Sequence, residues 1–258
     1  MKILVCLKQV PHKDARLDVA SDGSWIQDDN IKFEINQYDA FALEEALRTK
    51  DAGEAEVVVA TVGPDRVTQA LRTALGMGAD RAIHVWDDAL AATDPLGLAK
   101  SLAAVVKEES PDLVFCGLMA DDDNYSLVGP MLAELSGLPY ATGVTKAEHQ
   151  NGELIVEREL EGGALEVRSV PKPCLLSIQT GINEVRYASL KGIMQAKKKP
   201  LDQKGLGDLG LQAADVAPKV KLEKMYPPTK GEGAELLEGA AGDVAGQLVT
   251  KIKELGLL

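Results

Sequence analysis

The 258-residue sequence predicts an α/β protein built on a doubly wound, mostly parallel sheet, with β-hairpin additions and a C-terminal helical arm. Three observations carry that expectation. Short, continuously apolar runs such as Ile3-Leu4-Val5-Cys6-Leu7 and Val57-Val58-Val59 have the pattern of strands buried on both faces. They alternate with segments of helical periodicity through about residue 137, the order in which crossover helices cover a parallel sheet. The aromatic share is 4% against a hydrophobic share of 45%, so Val, Leu, Ile and Ala must build the core.

Ile3 to Leu7 is the first strand, followed by a polar loop from Pro11 to about Lys32. Asn36-Gln37-Tyr38-Asp39 opens a helix whose Phe41, Ala42, Leu43, Ala46 and Leu47 recur at helical spacing, and Gly53 ends it. Glu56 to Thr61 is the second strand. Gly63-Pro64 starts a helix, with Pro at its first position, that stops near Gly78. Arg81 to Trp86 is the third strand, and Thr93-Asp94-Pro95 caps a helix reaching about Glu109. Leu113 to Cys116 is the fourth strand, Gly117 to Asp123 a loop, and Asn124 to Ser136 a helix.

After Pro139 the pattern changes. Ala141 to Glu148, Glu153 to Leu160 and Ala164 to Val170 read as strands joined at Asn151-Gly152 and Gly162-Gly163, both hairpin turn signals. Cys174 to Ile178 returns to a buried strand. A short helix with Leu190, Ile193 and Met194 follows and ends at Lys197-Lys198-Lys199-Pro200. Residues 200–230 look extended and carry little apolar content. Glu235 to Leu257 reads as an amphipathic helix. The expected division is a nucleotide-binding domain over 1–199, with hairpins at about 140–170, and an arm over 200–258. The arm's apolar stripe is read as a clamp onto another subunit; the alternative is that it folds back on its own sheet. Gly205-Leu206-Gly207-Asp208-Leu209-Gly210 matches a dinucleotide-binding string. It is read as flexible arm, because no strand precedes it and no convincing helix follows.

Lys plus Arg is 28 and Asp plus Glu is 40, a net charge of -12, which repels nucleic-acid phosphates and anionic membranes at long range. Neither is an expected partner. No apolar stretch approaches the ~18 residues of a membrane span, so no direct membrane insertion is expected. Met1-Lys2 runs directly into the first strand, which gives the expectation of a cytoplasmic, prokaryotic chain with no presequence. Cys6, Cys116 and Cys174 each lie in a separate apolar run and read as buried free thiols, not a disulfide framework or a zinc site.

In an open parallel sheet, ligands bind beyond the carboxyl ends of the strands where the strand order reverses. Three segments are expected there: Cys6 to Gln9 with Asn36 to Asp39, Thr61 to Pro64, and Gly117 to Ser126. Gly117 and Ala120 leave room for a ligand close to the backbone, and free amides at the start of the Asn124 helix suit a phosphate. Asp121-Asp122-Asp123 reads first as a set of amide acceptors at a helix start; adjacent carboxylates rarely converge on one metal ion. His12, His84 and His149 are scattered. No nucleophile elbow, Walker loop or zinc-protease motif occurs, so no catalytic residue and no metal site is assigned.

Longer strings carry a resemblance. Glu34-Ile35-Asn36-Gln37-Tyr38-Asp39 leading into Ala42-Leu43-Glu44-Glu45-Ala46 resembles the electron transfer flavoprotein β subunit. So do Arg72-Thr73-Ala74-Leu75-Gly76-Met77-Gly78-Ala79-Asp80-Arg81 and Val156 to Gly163. The strongest is Asn183-Glu184-Val185-Arg186-Tyr187-Ala188-Ser189-Leu190 with Ile193-Met194 and Ala196 to Lys199. The resemblance covers almost the whole chain. It implies a Rossmann-like domain of the adenine-nucleotide-binding type, with a C-terminal arm embracing an α subunit that carries most of the FAD site. It implies AMP in the β nucleotide site. It further implies electrons taken from acyl-CoA dehydrogenases, as in fatty acid β-oxidation, and passed to a quinone oxidoreductase. The β subunit is then an electron carrier and not an enzyme.

Carried over by position, the resemblance implies a cofactor site of Cys6, Asn36, Gln37, Tyr38, Asp39, Val62, Gly117, Leu118, Met119, Ala120, Asp121, Asp122, Asp123, Asn124, Tyr125, Ser126, Leu127 and Val128. It implies a partner-recognition loop over about 170–192, with Ile182 an exposed apolar anchor and Asn183, Glu184, Arg186 and Tyr187 beside it; the alternative for Ile182 is a core residue at a strand end. The loop from Gln9 to Lys13 is implied to face the α subunit's flavin. Ser126-Leu127-Val128 departs from the Asn-Gln-Thr common in AMP-binding members, which removes side-chain phosphate donors. Some members hold a second FAD there and bifurcate electrons; Asp39 and Val128 are compatible with that, but the match near Ala92-Thr93-Asp94-Pro95 is poor. The AMP-type reading is preferred. The competing readings are a stand-alone nucleotide-binding module, which has no use for the arm, and a nucleotide-activating enzyme of the pyrophosphatase type, which needs a Ser-Gly-Gly loop where this chain has Gln9-Val10-Pro11-His12.

Overall fold

The computed structural model describes every residue except 54, 151, 230 and 232. The chain divides into two compact units: Met1–Leu17 with Gln27–Glu223, and Asp18–Ile26 with Lys224–Leu258.

The first unit holds β1 (Lys2–Cys6), β2 (Gln9–Pro11), β3 (Phe33–Ile35), α1 (Gln37–Ala52), β4 (Glu56–Val62), α2 (Thr68–Met77), β5 (Arg81–Val85), α3 (Pro95–Glu109), β6 (Leu113–Gly117) and α4 (Val128–Ser136). It continues with β7 (Tyr140–Gln150), β8 (Glu153–Glu159), β9 (Leu165–Val170), β10 (Cys174–Ile178), α5 (Leu190–Ala196) and β11 (Leu201–Lys204). Among the described residues the main sheet has nine strands in the order β11-β5-β4-β1-β6-β10-β7-β8-β9. Neighbours are parallel from β11 through β7 and antiparallel at β8 and β9. The chain leaves β1 toward β4 and β5 on one side, then returns to set β6 on the other. β1 and β6 therefore flank the reversal of strand order.

Period-2 alternation sends Ile3 and Val5 to one face and Leu4 and Cys6 to the other. The first face packs under α1 and α2 through Leu43, Leu47, Leu71 and Leu75, the second under α3 and α4 through Leu102, Val105 and Leu132. All three cysteines are buried and free. Fully covered strands explain the unbroken apolar runs in the sequence.

Several boundaries differ from expectation. Pro64 precedes a single 3-10 turn, Asp65–Val67, and α2 begins only at Thr68. α4 begins at Val128, four residues after Asn124, because Asn124 and Ser126 both take left-handed backbone (φ 54°) that cannot enter a helix. The loop between Pro11 and Lys32 is closed by the antiparallel pair β2 and β3. Asn151 lies outside the described residues; the turn at Gly162-Gly163 is a 3-10 turn with both glycines at positive φ.

The sheet unit also continues past residue 199. β11 pairs with β5 at the sheet edge, Leu206 and Val216 are buried, and Asp94 accepts the amides of Lys219 and Val220. The glycine string at 205–210 therefore does follow a strand, contrary to the sequence reading. It opens only the 3-10 turn Gly207–Leu209, so no long helix offers its amides to a pyrophosphate.

In the second unit, Val19 and Ile26 form an isolated antiparallel bridge, and the Met225 amide donates to the Gly23 carbonyl at 2.8 Å. Its helix α6 runs Ala241–Glu254, shorter at both ends than expected, and buries none of its residues.

Candidate functional site

The carboxyl ends of β1 and β6 are joined by one side chain from the first turn of α1. Asp39 is buried, and its carboxylate accepts the Lys8 amide at 2.7 Å and the Gly117 amide at 2.8 Å. Burial pushes its pKa up to about 7; these two amides, the Asn36 side chain and the Lys8 charge hold it from rising further. This closeness is why residue 117 is glycine. A Cβ there would stand 2.5 Å from an Asp39 carboxylate oxygen, 2.6 Å from the Tyr38 Cβ and 2.9 Å from the Asp39 main-chain nitrogen.

Asn36 occupies the N-cap of α1 but does not cap it with its side chain. Its amide instead donates to the Met119 carbonyl at 2.8 Å, and its carbonyl oxygen accepts the Asp121 amide at 3.0 Å. Asp121 in turn accepts the Gln37 amide at 3.2 Å. The loop after β6 and the start of α1 thus cap each other. Lys8 adds a second tie, its ammonium 2.6 Å from Asp122 and 2.7 Å from Asp123. Burial opposes the charge on Lys8, but the two carboxylates outweigh it and raise its pKa. Asp123 also accepts the Tyr125 amide at 3.1 Å.

The three aspartates thus do not sit on the helix start expected of them; one caps α1 and two hold Lys8. Among the described residues no group of His, Cys, Asp and Glu is disposed to hold a metal ion. Beyond Asn124 the chain passes exposed Tyr125 and Leu127 before the first amides of α4, which have no intrahelical acceptor. Asn124 and Ser126 take left-handed backbone, and the Asn124 amide is donated to the Ala120 carbonyl at 2.9 Å.

Of the other site residues, Cys6 lies beneath the crevice on the α3 face of the sheet, its thiol raised to about 12 by burial and then by Asp39. Val62 ends the adjacent strand β4 and is half-buried. The Tyr38 hydroxyl is raised by desolvation and by Asp121. Gln9 is turned inward, exchanging hydrogen bonds with the Arg66 guanidinium (2.7 Å) and carbonyl (3.1 Å). The histidines stay apart, and His84 is a core residue bonded to the Gly63 carbonyl at 2.7 Å. Lys8 fell inside a segment expected at the crevice, yet nothing in the sequence showed that its side chain would meet the aspartates.

The second set of expected residues lies further along α1. Asn183 donates to the Phe41 carbonyl at 3.1 Å and to Glu45 at 3.0 Å. Arg186 binds Glu44 at 2.8 and 2.9 Å and Asp51 at 2.9 Å. These two hold the segment onto α1. Glu184 and Tyr187 are exposed, Tyr187 by 95%. Ile182 is half-buried and packs against the core, the position of the core alternative and less exposed than an anchor was expected to be. The exposed apolar side chains are Tyr187, Leu190, Ile193 and Met194.

Comparison with known proteins fits this geometry. The electron transfer flavoprotein domain matches residues 24–208. The electron transfer flavoprotein subunit β of Methylophilus methylotrophus is 39% identical over 261 residues, covering 98% of each chain. That of Bradyrhizobium diazoefficiens is 39% identical over 260 residues, covering 100% of each. The mitochondrial subunit of Arabidopsis thaliana is 38% identical over 90% of this chain and 92% of its own. The chain belongs to the electron transfer flavoprotein family, as a β subunit. Electron transfer flavoprotein β subunits are electron-transfer components and not enzymes, and membership implies a flavin and an α-subunit partner. Among the described residues no helix is long and apolar enough to cross a membrane.

Proposed function

We propose that the crevice beyond β1 and β6 holds AMP. The bound AMP would order the chain, while an α subunit would carry the FAD that accepts and releases electrons. The observation that carries this reading is the mutual capping of the α1 start and the 117–124 loop around Asp39, Asn36 and Gly117. It sits at the reversal of strand order, where open α/β sheets take nucleotides. The residues fit: Gly117 lets the start of α1 close against the end of β6, the first amides of α4 suit a phosphate, and a loop carboxylate suits ribose hydroxyls.

Electrons would come from acyl-CoA dehydrogenases and leave to a quinone oxidoreductase, in the cytoplasm. The segment from Ile182 to Tyr187, fixed on α1 by Asn183 and Arg186, would dock the dehydrogenase, with Tyr187 and Leu190 as its contacting apolar groups. The arm with α6, whose Leu248, Val249 and Leu255 are exposed, would clamp the α subunit. A second reading, in which a second FAD fills the crevice and electrons bifurcate, is favoured by the exposed Tyr125 ring and Leu127 at the loop, apolar surface that a larger ring system could cover.

The test is to co-express the chain with its α subunit and quantify the nucleotides released from the purified heterodimer. One FAD and one AMP per heterodimer is the expected result. Two FAD and no AMP would install the bifurcating reading, and a heterodimer with FAD alone would overturn both.

A further inference from the structure

Lys8 stands just beyond β1 with its main chain fixed on both sides. Its amide donates to Asp39 at 2.7 Å, and its carbonyl accepts the Asn36 amide at 2.9 Å. The side chain is therefore aimed by the first turn of α1, and its ammonium falls between Asp122 and Asp123, at 2.6 and 2.7 Å. These three side chains are each about one third exposed, at the border between crevice and solvent. Another cation, Arg66, is held over the Phe33 ring at 3.9 Å and bonded to Gln9; it feels the Asp122 charge, more weakly than it feels its own burial. Asp39 and Asp121 are already spent on amides.

Without Lys8 the loop would carry two carboxylates with no ion pair, Asp122 keeping only the weaker influence of Arg66, on the same loop as the amides offered to a phosphate. Like charges a few ångströms apart at a partly desolvated surface oppose binding strongly. Resting on the nucleotide reading above, we infer that Lys8 admits the phosphate group of an adenine nucleotide by neutralising Asp122 and Asp123, its charge mattering more than its tether. Lys8 is thus a positioning and charge-balancing residue. It explains how a chain of net charge -12 with three consecutive aspartates at the crevice can take an anion.

The experiment uses the heterodimer with its α subunit, stripped of nucleotide, and measures AMP binding by calorimetry. Wild type is compared with Lys8→Gln, Lys8→Arg, Asp122→Asn/Asp123→Asn, and the triple variant combining Lys8→Gln with both asparagines. Lys8→Gln is expected to weaken AMP binding about tenfold or more, and Lys8→Arg by less than about threefold. The triple variant should return to within about threefold of wild type, because removing the carboxylates removes the need for the cation. A purely structural tether predicts the opposite: the triple variant, having lost every partner, stays as weak as Lys8→Gln. That result, or a Lys8→Gln protein that binds like wild type, overturns the inference. If Lys8→Gln fails to assemble, the double asparagine variant decides. It should bind AMP at least as tightly as wild type and with steeper salt dependence, since Lys8 is then released to the phosphate; weaker binding overturns the inference. Wild type that binds no AMP overturns the nucleotide reading itself.

Discussion

The two ends of one parallel sheet each bury a carboxylate and hold it by different chemistry. At the amino ends of the strands the buried Glu109 is held by cations, within a set of ion pairs that is joined by two amide ties, Asp112 to residue 2 and Asp80 to residue 57. Arg81 reaches Glu56 at 2.7 Å and grips Glu109 with both terminal nitrogens, Lys2 reaches Glu109 at 3.2 Å, and Lys50 reaches Asp80 at 2.6 Å. At the carboxyl ends the buried Asp39 is held by the main-chain amides of residues 8 and 117, and Asp121 takes that of residue 37, beside the Lys8 ion pairs with Asp122 and Asp123. Side-chain pairs tolerate small shifts of the backbone, because long side chains can follow. Amide ties demand close approach of the chain itself, which is why Gly117 is needed at one end and no glycine plays that part in the ion pairs at the other. At the amino end a buried carboxylate is matched by charge, and at the carboxyl end by the fixed backbone around it.

That division can be broken at either end. Arg81→Met leaves Glu109, only 9% exposed, without its main partner and should cost about 3 kcal/mol in denaturant unfolding. The bound nucleotide should stay, and its release would collapse the distinction between the two ends. Asp39→Ala orphans two amides beneath the crevice. It should cost about 2 kcal/mol or more and also lose most of the nucleotide, measured on the same heterodimer. Gly117→Ala should cost about 1–3 kcal/mol, because the new methyl meets backbone as well as side chain and overpacks the site. Nucleotide loss should again accompany it.

A finer comparison uses pH. The Asp39 carboxyl lies at about 7 when folded against an ordinary 3.8, so the folded state holds its proton more tightly than the unfolded. Its contribution to stability is complete below about 4 and is lost as pH rises through about 7. Wild type should therefore lose stability relative to Asp39→Asn between those values and level off above them. A flat difference between the two unfolding curves would show that Asp39 does not titrate there. The smallest expected effect is chemical. Cys6 and Cys174 are pushed up to about 12 and 11 by burial, and Cys116 well above the ordinary range. At pH 8 a thiol reagent should label none of them in the native heterodimer, and all three after denaturation. Labelling of Cys6 or Cys116 alone would mean that the carboxyl end opens while the amino end stays closed.

Much was legible in the chain. β1, β4, β6 and β10 are buried on both faces, so their apolar runs need no context to be recognised. Asp94-Pro95 capped its helix as read, with Asp94 accepting the Gly97 amide at 3.0 Å. Gly117 was expected to leave room for a ligand, but the space beside it is taken by Tyr38 and Asp39 at the start of α1. What misled was local pattern without its partner. β11 reads Leu-Asp-Gln-Lys and is a strand only because β5 offers it an edge. Asn124 looked like a helix start, but its left-handed backbone belongs to the turn before α4. Ile182 was open to two readings, exposed anchor or core residue; Asn183 is drawn onto α1, and Ile182 packs against the core.

The sequence by itself determined the class of sheet, the two-faced core and the membership of the chain in its family, because hydrophobic period and long ordered strings are properties of neighbours along the chain. The tertiary structure alone decided what the polar residues do. Asn36 and Asp121 lie 85 positions apart, and Lys8 and Asp122 lie 114 apart. No local pattern encodes such meetings; they exist because the strand order reverses between β1 and β6 and brings the two strand ends side by side.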